Sequence, residues 1–143
     1  VFEIISALRA KNTEGGDIYR GYDIQASIDD DKMIEGDQLL LLIATLDKLI
    51  LGSEPFWNLR GDGLKLTSIA WPLKRNLIRT VYDMMFAQNK SLLREPDFLS
   101  KSCHKIELVL GDAVFTMDGE LFECVENKPL HISLGPEFTY LCG

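Results

Sequence analysis

Two carboxylates set around a glycine, Asp118-Gly119-Glu120, lie in the context Val114-Phe115-Thr116-Met117-Asp118-Gly119-Glu120-Leu121-Phe122. Asp-Gly between apolar arms marks a tight hairpin, whose tip keeps polar groups accessible while the arms anchor it. A carboxylate held close to another, and partly buried, keeps its proton more tightly and can serve as a general base toward a hydroxyl. The plain alternative is that Asp118 is present only because its backbone tolerates positive φ. A second Asp-Gly pair stands upstream in Gly61-Asp62-Gly63-Leu64. Asp62 could be another turn residue. Otherwise its carboxylate, with nearby loop carbonyls, offers hard oxygen ligands to a cation that keeps several waters, as magnesium does.

Other polar clusters carry less. Asp29-Asp30-Asp31 lacks the alternating Asp/Asn positions and closing glutamate of a calcium loop, so a solvated turn is expected. Gly15-Gly16-Asp17 is followed by Ile18 and Tyr19 where a phosphate loop wants glycine or a hydroxyl, and it reads as a turn. Arg60-Gly61-Asp62 spells an adhesion tripeptide, a match too short to use. Cys103, Cys124 and Cys142 are an odd count at spacings that fit neither zinc nor a CxxC pair. With His104 and His131 the only histidines, a complete soft-metal set is hard to assemble, and reduced thiols of a cytoplasmic protein are the expectation.

The elements that must position these residues are mostly strands. Val1, Ile4, Ile5 and Leu8 recur at helical spacing, as though a longer chain continued before a helix there, and a turn follows over Asn12 to Asp17. Tyr22, Ile24, Ala26 and Ile28 alternate with polar residues, the pattern of a half-buried strand. Leu39 to Ile43 is apolar on both faces and suits a central strand, although a short buried helix has the same pattern. Gly52 to Gly63 is loop-like and delivers Asp62 to a strand over Leu64 to Trp71. Pro72 suits a helix start, and Leu73, Leu77, Ile78, Val81, Met84 and Met85 form an apolar stripe at helical period. Lys74, Arg75 and Arg79 occupy the opposite side, where they either meet solvent or face lipid headgroups or phosphate.

Beyond Pro96, strands are expected at Lys105 to Leu110, Ala113 to Met117, Leu121 to Val125, Leu130 to Leu134 and Phe138 to Cys142. Turn residues punctuate them at the spacing of an antiparallel meander. Roughly eight strands against one long helix predict a mainly β protein, a two-layer antiparallel β-sandwich with a peripheral α-helix.

The 143 residues fit one domain, long enough to bury about 68–70% of its unfolded surface. A formal charge of −7 opposes nonspecific attraction to nucleic acid or an anionic bilayer. The longest apolar run, Leu39 to Leu46, is far short of the ~20 residues a membrane helix needs, and the first residues show no signal-peptide pattern.

At the two acidic loops the chain resembles the C-terminal domain of the diacylglycerol kinase-like lipid kinases, the bacterial YegS/BmrU-type group that also includes sphingosine and ceramide kinases. Gly61-Asp62-Gly63-Leu64-Lys65-Leu66 looks like the family's Asp-Gly-Leu strand entry, and Phe115-Thr116-Met117-Asp118-Gly119-Glu120 like its Phe-x-x-Asp-Gly-Glu hairpin. Pro129 to Pro136 is similar to its closing strand and turn. The resemblance implies a β-sandwich packed against an N-terminal nucleotide-binding domain that supplies ATP, with the active site in the cleft between them. It implies Glu120 as proton acceptor for a lipid hydroxyl, with Asp118 a neighbouring carboxylate. It also implies a structural Mg2+ bound by the Asp62 carboxylate and the carbonyls of Leu59 and Leu64. The expected setting is cytoplasmic, at the membrane periphery, with lipid as substrate.

Two departures stand out. Phe56-Trp57-Asn58 replaces the family's Pro-x-Ala before the magnesium loop, and the Gly-Gly-Asp-Gly-Thr/Asn nucleotide motif is absent, so residues 1–143 alone are expected to be inactive. The rival readings are a noncatalytic β-sandwich binding module and an NAD kinase-like enzyme.

Overall fold

The computed structural model describes residues 3–6, 22–49, 52–57, 59, 62–87, 94–111, 114–117, 120–123 and 128–135. The protein is mainly β. A seven-stranded antiparallel sheet uses β1 (Glu3–Ser6), β2 (Tyr22–Ile28), β3 (Asp31–Ala44), β4 (Leu64–Ala70), β5 (Phe98–Cys103), β6 (Lys105–Leu110) and β9 (Leu130–Ser133). A two-stranded sheet pairs β7 (Val114–Met117) with β8 (Glu120–Glu123). The helical part is small: α1 (Leu77–Tyr82), continued by a π-helical turn over Asp83–Ala87.

In β2 the alternation seen in the sequence becomes burial, with Ile24, Ala26 and Ile28 inside and Asp23 and Gln25 outside. Asp29 and Asp30, with φ of 49° and 71°, make the two-residue turn into β3. Positive φ at both central positions gives the turn whose twist matches that of the strands it joins. The expected solvated turn is therefore present.

The sheet runs β5-β4-β3-β2-β6-β9, with β1 adding to β3. β5 and β6 are separated by His104 alone, yet they stand four steps apart on that path. In a flat sheet the interval would be about 19 Å at ~4.8 Å per strand, whereas two residues reach only about 7 Å. The sheet must therefore curl enough to bring the end of β5 to the start of β6 at His104. β3 provides the bend: its first half pairs with β2, and its second half lies between β1 and β4. Gly36 at φ 100° and an irregularity between Gln38 and Leu40 mark the change of direction.

Inside the curl, Ile24, Ile28, Leu41, Ile43, Leu66, Ile106 and Leu108 form one buried cluster. The outer face of β4 is covered too, by the loop that follows β3. Lys65 and Thr67 find partners there: Lys65 Nζ donates to the Thr45 carbonyl at 3.1 Å and pairs with Asp47 at 3.0 Å. Thr67 Oγ1 donates to the Pro55 carbonyl at 2.9 Å, and Trp57 stacks obliquely on Phe98 with centroids 6.0 Å apart. A loop buried against a sheet needs such partners for its backbone and theirs.

Four expectations are corrected. Glu3–Ser6, expected to be helical, is a strand paired with β3. The helix expected from Pro72 begins only at Leu77, because Asn76 is its N-cap and accepts the Arg79 N–H at 3.1 Å. Only part of its stripe faces the core: Met84 is buried and Leu73 packs on the same cluster, whereas Ile78 and Val81 are exposed. The C-terminal strands are not a simple meander: β6 pairs with β2 and β9, and β7–β8 forms a separate hairpin. Phe98–Cys103 is a further strand that the sequence reading had not assigned. The turn at Asn12 to Asp17, Gly15-Gly16-Asp17 included, and the strand expected at Phe138 to Cys142 lie outside the described residues.

Candidate functional site

Phe115 on β7 is buried, and its ring stacks on Phe122 of β8 with centroids 5.5 Å apart and planes at 20°. This pair, with Met117, packs into the cluster that also holds Leu64 and Leu66. The hairpin is thus fixed to the sheet by its apolar face. Met117 and Glu120 face each other as the last pair of the ladder, and Glu120 is exposed. Asp118, between them with Gly119, lies outside the described residues.

The second acidic loop enters β4. Leu59 is half-buried, Asp62 is exposed and Leu64 is buried at the start of the strand. Gly63 has φ 118°, and a Cβ added there would stand 3.2 Å from the Cys103 carbonyl oxygen. Only glycine fits a backbone turned this way so close to a neighbouring strand. Next to it, Cys103 Sγ donates to the Leu64 carbonyl at 3.8 Å. Burial, with a contribution from the Asp29 charge, pushes the Cys103 thiol up to about 11, so it remains a neutral, weak donor.

No group of three or more His, Cys, Asp or Glu capable of holding a metal occurs among the described residues. A cation here would rely on one carboxylate and main-chain carbonyls. The Asp62 carboxylate and the carbonyls of Leu59 and Leu64 are oxygen donors of that kind, and the Leu64 carbonyl accepts from the Cys103 thiol at 3.8 Å. Magnesium with several waters suits donors of this kind. Among the described residues no hydrogen bond or ion pair joins Glu120 to the Asp62 loop; they are linked through the shared core beneath them.

The structure also assembles residues that were not singled out as a group. Ser27, Glu107 and His131 form one cross-strand row over β2, β6 and β9, with His131 Nδ1 3.3 Å from Glu107 Oε2. They line an open groove of ≈ 440 Å3 with Asp30, Lys105 and Ser133. Because glutamate, not histidine, lies between serine and its partner, the row lacks the order needed to activate a serine nucleophile. Only the register brings these residues together, and no local pattern in the chain announces it.

Among the described residues no helix is long and apolar enough to cross a membrane. No protein-family model, curated protein or solved structure matches the chain.

Proposed function

We propose that this chain is the C-terminal domain of an ATP-dependent lipid kinase, its curled sheet being one form of the two-layer β-sandwich on which such a domain is built. The observation that supports this reading best is Glu120: an exposed carboxylate at the start of β8, beside the stacked pair of Phe115 on β7 and Phe122 on β8 that packs on the core. A general base must be accessible yet held in place, and this arrangement provides both.

In the proposed reaction the lipid hydroxyl oxygen attacks the γ-phosphorus of ATP. A new O–P bond forms, the bond to ADP breaks, and the hydroxyl proton passes to Glu120, with Asp118 as a neighbouring carboxylate. The nucleotide would be bound mainly by an N-terminal domain, since the Gly-Gly-Asp-Gly-Thr/Asn motif is not found in these residues. Mg2+ at Asp62, Leu59 and Leu64 would supply positive charge that stiffens the loop entering β4. The domain itself positions Glu120, and its rigid core keeps the hairpin from drifting when the acceptor binds.

The test joins this domain to a nucleotide-binding half and offers lipid and dinucleotide acceptors in competition. Lipid phosphorylation is expected, and Glu120→Gln should reduce it by about 10²–10⁴-fold, the usual contribution of a general base. Unchanged lipid turnover would remove Glu120 from the chemistry. Preference for the dinucleotide would favour an NAD kinase-like enzyme, and no transfer to either acceptor would favour a binding module.

A further inference from the structure

We draw no further inference here: the strongest candidate, the open groove over β2, β6 and β9 lined by Ser27, Asp30, Lys105, Glu107, His131 and Ser133, has its charged groups already paired with one another, Lys105 with Asp30 and His131 with Glu107, and nothing in the structure shows what it would hold.

Discussion

At Asp29 one side chain fastens two strand ends to a turn. Its Oδ1 accepts the N–H of His104 at 2.9 Å and of Lys105 at 3.0 Å, while its own N–H donates to the Lys105 carbonyl at 3.1 Å. The two accepted bonds favour the ionised carboxylate and hold its pKa below the ordinary 3.8. In the window between the two values the unfolded chain therefore binds more protons. The stability contributed by Asp29 is complete above the unfolded value of about 3.9 and disappears as pH falls through the lowered folded one. Asp29→Asn, which keeps an acceptor but removes the charge, is expected to lower stability at neutral pH and to flatten its decline below about pH 4. Urea unfolding at stepped pH measures this, and parallel curves for both proteins would mean that the charge is idle. The run of aspartates shows in the sequence as a turn, but its grip on His104 and Lys105 is a contact across more than seventy residues that no local pattern encodes.

Among the elements, Tyr22–Ile28 was legible as a strand, and Leu39 to Ile43 as a segment covered on both faces. Tyr22–Ile28 alternates because water lies on one side only, and Leu39 to Ile43 is apolar throughout because β3 is covered on both sides there. Glu3–Ser6 was misread since adjacent isoleucines fit a helical stripe as well as a short strand. β5 carries Ser100, Lys101 and Ser102 in its middle and has no apolar run to announce it; its ladder with β4 makes it a strand. Pro72 suits a helix start by its own chemistry, but the helix waits for Asn76, whose side chain caps it, and which of its residues turn outward depends on what packs beneath it. The Asp62 and Glu120 loops stand out in the sequence by motif order, while the row over Ser27, Glu107 and His131 exists only after the strands align. Gly63 gives a test at this scale. Gly63→Ala combines forbidden φ with a 3.2 Å contact to main chain and should cost about 1–3 kcal/mol. Gly52→Ala, at φ 72° with open space around it, should cost about 1 kcal/mol. Denaturant midpoints compare the two, and equal losses would show that the Cys103 carbonyl yields freely.

For the molecule as a whole, metal binding is expected to register as global stability, because the Asp62 loop opens directly into a strand buried on both faces. A ligand at a hundred times its Kd stabilises by about 2.7 kcal/mol, a rise of several degrees in Tm for a protein of this size. Calorimetry with and without magnesium should show that rise in the parent chain and its absence in Asp62→Ala; identical shifts in the two proteins would exclude Asp62 as a ligand. The single-residue link at His104 has a mechanical side as well. Sliding β5 along β4 would drag β6 along β2, so a displacement begun anywhere on the circuit returns to its starting point and meets resistance there. The two halves of the sheet are thus coupled in motion through one residue of main chain.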